Sequence, residues 1–172
     1  MRPDILPDLL GWGLRLVFCG TAAGPESARA GAYYAKPGNR FWPVLEEAGF
    51  TAGRLRPAEY PQLRARGIGL TDLAKSRSGV DRDLGVEDFD IDRFWASMRF
   101  YSPRAIAFTS QEAASIALGL RKADISFGAR PGRSVGRQPE VFVLPSPSGN
   151  NGHWGRQKHH WSACARALGF AA

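Results

Sequence analysis

The sequence predicts an α/β protein built on a mainly parallel, four-stranded central sheet with helices on both faces. Its 172 residues suit a single domain over residues 1–172. Short apolar runs alternate with amphipathic stretches, which favours strands separated by helices. No internal repeat, low-complexity tract or linker divides the sequence. In a sheet of this kind, ligands bind at the carboxyl ends of the strands, so we expect a functional site there.

Four compact apolar runs supply the predicted strands. The first covers residues 14–19, has the sequence LRLVFC and ends at Gly20, where a turn is expected. The other three cover residues 67–73, 105–108 and 141–144. Compact, mostly apolar runs of this length are typical of strands buried on both faces.

Helices are predicted between these runs. Residues 39–48 form the first, with Asn39 at or near its N-cap. Apolar residues at i, i+3, i+4 and i+7 mark a second helix over residues 91–98, which ends before Pro103. Ser110 is a candidate cap for a third that reaches about residue 120, and the spacing after Trp161 predicts a last one. Residues 128–139, rich in Gly, Arg and Pro, are expected to form a mobile loop.

The charge of the chain favours a polyanionic partner. The formal net charge is +7 and the sequence pI is about 10.0. A basic domain of this size suits nucleic acid first. Arginine-rich composition also arises from genomic base bias, so the charge alone does not identify the partner.

The remaining composition narrows the class of protein. No stretch approaches the roughly 20 apolar residues of a membrane span, and no basic start followed by an apolar run predicts a signal peptide. Cys19 and Cys164 lie in apolar contexts far apart in the sequence, which favours two buried thiols over a disulfide or a metal pair. We therefore expect no membrane association and a location in the bacterial cytoplasm, with the nucleoid.

Two loops follow the first and last predicted strands. Residues 20–27 are small and include two glycines, so their backbone can approach a ligand closely. They lack the Gly-Lys-Ser/Thr ending of a phosphate loop. Residues 145–154 carry hydroxyls, amides and an imidazole. The alternatives are a purely structural turn for the first loop and a solvated connection for the second.

A block of aromatic, amide and cationic side chains lies between these loops, over residues 33–42 (YYAKPGNRFW). Such a mixture suits a flat, polar ligand such as a nucleic-acid base. Phe41 and Trp42 are better explained as core residues. Tyr33 and Tyr34 precede the helix, where packing is a less compelling explanation.

These segments resemble the mismatch-specific uracil/thymine-DNA glycosylase family of the uracil-DNA glycosylase superfamily. The resemblance rests on Val-Phe-Cys-Gly with its small-residue turn, Lys-Pro-Gly-Asn-Arg-Phe-Trp at residues 36–42, Ala-Gly-Phe-Thr at residues 48–51 and Leu-Pro-Ser-Pro-Ser-Gly at residues 144–149. It implies a three-layer α/β/α sandwich and a monofunctional enzyme that flips a deaminated base out of DNA and hydrolyses its N-glycosidic bond.

The first family motif, Gly-Ile-Asn-Pro-Gly, differs here at its most important position. The corresponding residues 20–24 are Gly-Thr-Ala-Ala-Gly, so Ala22 replaces the asparagine that positions the attacking water. The resemblance still implies that Tyr34 stacks on the flipped base and that the backbone amides of Thr21 and Tyr34 read its edge. Gly20, Thr21, Ala22, Ser27 and Tyr34 are thus the predicted base-binding residues.

Three residues are candidates to replace the missing asparagine. Asn39 comes first, because it is an amide close to the base-stacking aromatics, and the resemblance extends to a related hypoxanthine-acting group that uses an asparagine in this block. Its alternative role is a helix cap. Ser146 comes second. His153 comes third, since an imidazole can orient water or donate to a base oxygen. A Schiff base formed by Lys36 is a weaker possibility.

Contacts with DNA are predicted from the same resemblance and from the basic residues. The second motif would grip the strand through Ser146 and Ser148, and the side chain that fills the hole left by the flipped base falls near Asn150 and Asn151, neither of which is apolar. Lys75 is a further candidate for phosphate contact. The predicted DNA-binding residues are Lys36, Arg40, Ser148, Gly149, Asn150, Asn151 and Arg156. We expect a monomer without metal or cofactor.

The expected function is excision of uracil from DNA, with G:U mismatches as one context. Two alternatives stay open at this point: a glycosylase for hypoxanthine or another deaminated base, and a lesion-binding protein with weak catalysis, which Ala22 favours. A Ser/His/Asp hydrolase fits poorly because no Gly-x-Ser-x-Gly motif follows a strand. A hydrolase of free nucleosides fits poorly with the excess of positive charge.

Overall fold

The computed structural model describes residues 3–130 and 138–170. Strand β1 (Leu16–Ala22) includes most of the first apolar run and has a neighbouring strand on each side. Successive side chains of a strand point to opposite faces of the sheet. Accordingly, Leu16 and Phe18 belong to one buried apolar cluster, whereas Val17 and Cys19 belong to the other. Both faces of this strand are therefore covered, as its unbroken apolar sequence requires.

Four further strands complete the sheet: β2 (Ile68–Ala74), β3 (Ala105–Phe108), β4 (Gly128–Arg130) and β5 (Glu140–Val143). The strand order is β2-β1-β3-β5-β4. The β1–β2, β1–β3 and β3–β5 pairs are parallel, and β4 pairs antiparallel with β5. The predicted α/β class with a mainly parallel sheet is confirmed.

The predicted number of strands was wrong, because β4 adds a fifth. Residues 128–130 were expected within a mobile loop, yet Gly128 pairs with Val143 and Arg130 with Val141. The sequence Gly-Ala-Arg has no apolar run, so it becomes a strand only because the edge of β5 offers hydrogen-bond partners. Residues 131–137 of the predicted loop lie outside the described residues.

Helices cover both faces of the sheet: α1 (Pro25–Ala30), α2 (Phe41–Glu47), α3 (Ile91–Tyr101), α4 (Gln111–Leu118), α5 (Trp154–Gln157) and α6 (His159–Ala167). On one face, Phe41 of α2 and Trp161 of α6 pack against Phe18 of β1. On the other, Phe94 of α3 and Ala113 of α4 share a cluster with Val17. The three-layer α/β/α arrangement follows.

Capping residues were predicted for α2 and α4, and the structure shows how each helix begins. The Ser110 hydroxyl accepts a hydrogen bond from the Ala113 amide at 3.0 Å, which confirms it as the cap of α4. Helix α2 begins at Phe41, two residues later than predicted, with Arg40 as its N-cap. Asn39 precedes that cap, and its Oδ1 accepts from the Phe41 amide at 2.9 Å. Asn39 therefore supports the first turn of α2 from just outside the helix.

Cys19 and Cys164 are buried free thiols, as expected from their apolar surroundings. Burial raises the pKa of both thiols, so neither is disposed to react as a thiolate. Within residues 3–130 and 138–170, no helix has the length and apolar character needed to cross a bilayer.

Candidate functional site

A polar cleft of ≈ 270 Å³ lies where β1 and β3 end. We call it the carboxyl-end cleft. Five separate segments of the chain contribute to its walls, which is why sequence proximity alone does not define it. Its lining residues are Gly20, Thr21, Ala22, Tyr34, Asn39, Val80, Asp81, Thr109, Ser110, Ser146, Pro147, Ser148 and Asn150. The cleft lies at the edge of the sheet where a parallel α/β fold is expected to bind ligands.

The first wall of the cleft is the end of β1 rather than a loop. Residues 20–22 were predicted to follow the strand, but Gly20 pairs with Asp72 and Ala22 with Ala74 of β2. Both strands have seven residues, and β2 accompanies β1 to its end. On the other side, the pairing between β1 and β3 reaches only Cys19 and Phe108. Residues 20–22 therefore have a strand neighbour on one side and border the cleft on the other.

Glycine is required at position 20 because polar side chains converge on its Cα. A Cβ at this position would lie 2.8 Å from Asp72 Oδ1, 3.3 Å from the Tyr34 hydroxyl and 3.6 Å from Thr109 Oγ1. The first of these distances is shorter than a normal contact, so a side chain would displace the Asp72 carboxyl. Gly20 thus makes room for a polar floor behind the cleft.

The Asp72 carboxyl is buried behind Gly20, with 4% of the residue exposed. Burial is the main reason that its pKa is raised to about 7; the nearby Asp8 carboxyl also raises this pKa, whereas Lys75 and Arg93 lower it. Lys75 and Arg93 both pair with Asp8, at 2.8 Å and 3.1 Å. With a pKa of about 7, this carboxyl is close to half protonated at neutral pH, so it contributes only part of a negative charge to the floor of the cleft.

This carboxyl should make the stability of the protein depend on pH. In the unfolded chain an aspartate releases its proton near pH 4, whereas folded Asp72 holds it until about pH 7. Between these values the folded state binds the extra proton, so stability falls as pH rises, and the loss is complete above about pH 7. The Asp72→Asn variant lacks this titration. We expect its melting temperature, relative to that of the unaltered protein, to rise through this window and then level off; a constant difference would contradict the assignment.

Tyr34 presents an aromatic ring to the cleft. Its ring stacks on Phe41 with centroids 3.8 Å apart and planes 16° apart, and its hydroxyl is 3.0 Å from Thr109 Oγ1. Burial, together with the Asp72 carboxyl, raises the pKa of Tyr34, so the phenol stays neutral. Because Phe41 covers one face of the ring, the opposite face is the one available to a flat ligand.

The backbone at Tyr34 is held in an unusual conformation. Its φ is +53°, in the left-handed region that residues other than glycine rarely adopt. The turn is fixed on both sides: the Ser27 hydroxyl accepts from the Ala35 amide at 3.0 Å, and the Tyr33 hydroxyl donates to the Pro7 carbonyl at 3.0 Å. Ser27 was predicted to bind the base, but it lies buried under this turn and does not line the cleft.

Asn39 and Ala22 both line the cleft, so the predicted replacement is near the altered motif position. A backbone N–H can only donate, so the atom of Asn39 that faces the Phe41 amide must be its oxygen. The Asn39 amino group is then the part left to donate into the cleft. Ala22 contributes only a methyl group beside it.

Asp81 is the lining residue with an ionisable carboxyl, and the prediction of site residues missed it. It lies in a 3₁₀ turn, Asp81–Asp83, after β2. The Thr21 hydroxyl donates to Asp81 Oδ1 at 2.5 Å, which links this turn to the end of β1. The side chain is exposed at the rim of the cleft. An anchored carboxylate at this place can accept a proton from a water molecule.

The opposite wall is a loop with its own hydrogen-bond network. The Ser146 hydroxyl accepts from the Ser148 amide at 3.3 Å, and the Ser148 hydroxyl accepts from the Asn150 amide at 3.2 Å. Asn151 donates from Nδ2 to the Ser146 carbonyl at 3.0 Å. Since both serine hydroxyls act as acceptors within the loop, their own hydrogens remain available to a ligand.

Arg40 holds this loop against the start of α2. Its guanidinium donates to the carbonyls of Ser148, Asn151 and Gly149 at 2.8, 3.2 and 3.4 Å. It also lies over the Trp154 ring. Arg40 therefore supports the loop through these three hydrogen bonds, and its predicted contact with DNA stays a prediction.

The structure separates other predicted residues from the cleft. His153 is exposed and lies next to Arg156, with its Nδ1 3.2 Å from the guanidinium. Lys36 is exposed on the turn before Asn39. The proposal of a phosphate contact at Lys75 was wrong, since its amino group is buried and bonded to the Leu6 carbonyl and Asp8. Gly149 and Asn151 belong to the loop wall without lining the cleft.

Thr109, Ser110, Val80 and Asp81 line the cleft although they were not among the predicted site residues. A signal for them was present. Thr109 and Ser110 directly follow β3, and Val80 and Asp81 lie a few residues beyond β2. Applying the carboxyl-end rule to all parallel strands, rather than to the first and last, would have found them. Among the described residues, no cluster of three or more His, Cys, Asp or Glu side chains could hold a metal ion.

The chain is similar to known proteins in sequence and in fold. A family model for the uracil DNA glycosylase superfamily matches residues 7–169. The chain is also similar to a protein from Methanosarcina acetivorans, named a candidate uracil DNA glycosylase, whose solution NMR structure gives a TM-score of 0.68 with 24% sequence identity over 98% of each chain. At this level of identity, the second similarity shows a common fold.

Proposed function

Because this chain belongs to the uracil DNA glycosylase superfamily, we propose that it is a monofunctional DNA glycosylase that hydrolyses the N-glycosidic bond of a deaminated base, with uracil as the expected base. The observation that carries this proposal is the carboxyl-end cleft, in which an aromatic ring, an amide and a carboxylate lie around one small polar space. Within the superfamily, the residues at 36–42 and 144–149 favour the mismatch-specific branch.

The base would enter the cleft after the nucleotide is flipped out of the duplex. We propose that it stacks on the open face of Tyr34, whose other face is covered by Phe41. The neutral Tyr34 phenol suits a leaving base that gains negative charge. The protonated form of Asp72 behind Gly20 does not oppose that charge, whereas its ionised form does.

Hydrolysis requires a water molecule to attack C1′ of the sugar as the bond to the base breaks. The water oxygen forms the new bond to C1′, and the electron pair of the broken bond leaves with the base, which departs as an anion. We propose that Asp81 accepts the proton of the water and that the Asn39 amino group holds the water or an oxygen of the base. These two side chains would share the task that the family assigns to the asparagine replaced by Ala22.

The DNA strand would be held by hydroxyls and cations around the cleft. The Ser146 and Ser148 hydroxyls have hydrogens free to donate to phosphate oxygens. Exposed Lys36 and Arg156 add positive charge near this loop. Binding of this kind weakens as salt concentration rises, because phosphate contacts release counterions. A monomer bound to DNA containing a deaminated base is the expected complex.

A second candidate function is favoured by Ala22. With only a methyl group at the usual water-positioning place, the protein could recognise a lesion without excising it. Asp81 and Asn39 in the same cleft argue for the enzyme, since recognition alone does not need a carboxylate anchored at the rim.

The two functions are separated by a panel of labelled duplexes, each with one lesion: uracil opposite guanine, uracil opposite adenine, hypoxanthine, or thymine opposite guanine. Excess protein is incubated with each duplex, and abasic sites are revealed by alkaline cleavage. We expect uracil duplexes to be cut, with the G:U duplex fastest because a mismatch is easier to open. Preference for hypoxanthine would reassign the base, and selective binding without any cleavage would support the lesion-binding function.

A further inference from the structure

An exposed apolar side chain, Val80, borders the otherwise polar carboxyl-end cleft. It is 44% exposed. The structure has other large apolar side chains at the surface, namely Trp12, Val86, Phe100 and Leu120. Among these exposed side chains of residues 3–130 and 138–170, only Val80 lines the cleft. Its place at the mouth of a polar site therefore calls for a specific explanation.

The segment around Val80 is anchored on both sides. The Gly79 amide donates to the Ala23 carbonyl at 3.0 Å. On the other side, Asp81 accepts from the Thr21 hydroxyl. The Val80 backbone is extended, and its carbonyl accepts from the Asp83 amide at 2.9 Å, which starts the 3₁₀ turn. Val80 is thus presented at the rim from a fixed position relative to the end of β1.

The loop on the opposite rim offers no comparable apolar group. Asn150 is polar and exposed there. Asn151 is engaged within its own loop, where it donates to the Ser146 carbonyl and accepts from the His153 amide at 3.0 Å. An amide inserted between stacked bases must give up hydrogen bonds with water, whereas an apolar side chain gains from the same burial.

The charges next to Val80 are mixed. Arg82, two residues later, has an 87% exposed side chain, and it lies 3.7 Å from Asp83. Arg77 lies three residues earlier and is nearly half exposed, 3.7 Å from Asp88. Asp81 and Asp83 lie in the same segment, so its charge does not by itself attract phosphates. The apolar side chain at the mouth of a base-sized cleft is of the kind that inserts into a base stack.

We propose that Val80 fills the space left in the DNA stack when the target nucleotide turns into the carboxyl-end cleft. This inference rests on the proposed glycosylase function and assigns the filling side chain to the segment after β2, instead of to Asn150 or Asn151. It implies that both rims of the cleft contact the duplex, the β2 side through Val80 and the other side through the serine hydroxyls.

The test compares excision of uracil from paired duplex and from single-stranded DNA of the same sequence. Filling a hole in the stack matters only in the duplex. We expect Val80→Ala to slow excision from the duplex by about three- to tenfold, because two methyl groups are lost from a buried contact, and to leave the single-strand rate unchanged. Val80→Leu should keep the duplex rate. Val86→Ala, at an exposed valine outside the cleft, is the matched control and should change neither rate.

Equal loss on both substrates, or no loss on either, would overturn the proposal for Val80. A duplex-specific loss in Asn150→Ala with none in Val80→Ala would transfer the role to the opposite loop. If the unaltered protein releases uracil from neither substrate, the same comparison is made with the lesion that it does release; if it releases none, the glycosylase function itself fails, and the role of Val80 fails with it. Thermal unfolding of each variant checks that the comparison is made on folded protein.

Discussion

Replacing Asn39 by alanine should lower uracil excision at least tenfold while binding to the lesion duplex survives. The reason is that the oxygen and the amino group of its side-chain amide have different roles. Oδ1 accepts from the Phe41 amide at 2.9 Å, so the amino group is the part that can act in the cleft. Alanine removes both functions, and the lost support of α2 should cost about 1 kcal/mol of stability. Single-turnover excision, measured alongside equilibrium binding, gives the result.

Asn39→Asp separates the two roles of the amide. Aspartate keeps an oxygen that can accept from the Phe41 amide, but it has no amino group to donate into the cleft. We expect excision to fall as far as in Asn39→Ala while the melting temperature stays near that of the unaltered protein. Full excision by either variant would show that Asn39 has no catalytic role and only supports the start of α2.

The second large effect is expected at Asp81. Asparagine at this position preserves the shape and can still accept from the Thr21 hydroxyl, so the rim of the cleft should keep its structure. It cannot take a proton from water. General base catalysis by a positioned side chain contributes about 10²–10⁴-fold, and we expect Asp81→Asn to lose about 10²-fold in the rate of base release under single-turnover conditions.

The matched control for this prediction is Asp83→Asn. Asp83 belongs to the same 3₁₀ turn and is also exposed, but it does not line the cleft. The two variants change the charge of the turn equally, so any effect of charge on DNA binding is common to both. A similar loss in the two variants would assign the effect to electrostatics and contradict the role of Asp81 as a base.

Much of the fold could be predicted because the relevant signals are local. Apolar runs predicted the strands beginning near Leu16, Ile68 and Ala105, and the hydroxyl of Ser110 capped its helix as expected. Tyr34 and Asn39 were also predicted from a local signal, the aromatic and amide-rich segment, and both line the cleft. Their chemical roles stay predictions until the variants are measured.

Other parts of the site depend on residues far apart in the chain. The Thr21–Asp81 hydrogen bond spans 60 residues and the Arg40–Ser148 bond spans 108. No local pattern distinguishes an arginine that supports a loop from one that meets phosphate, or an exposed valine at a cleft from one elsewhere. Only the position of each side chain in the folded chain makes that distinction.

The sequence by itself determined the alternation of strands and helices, the apolar core and the basic charge, since these follow from composition and from the spacing of residues close together in the chain. The tertiary structure decided the antiparallel fifth strand, the structural use of Arg40 and Ser27, and the presence of Val80 and Asp81 at the cleft. The physical reason is that strand pairing and side-chain contacts between distant segments depend on how the layers pack, which no short stretch of residues specifies.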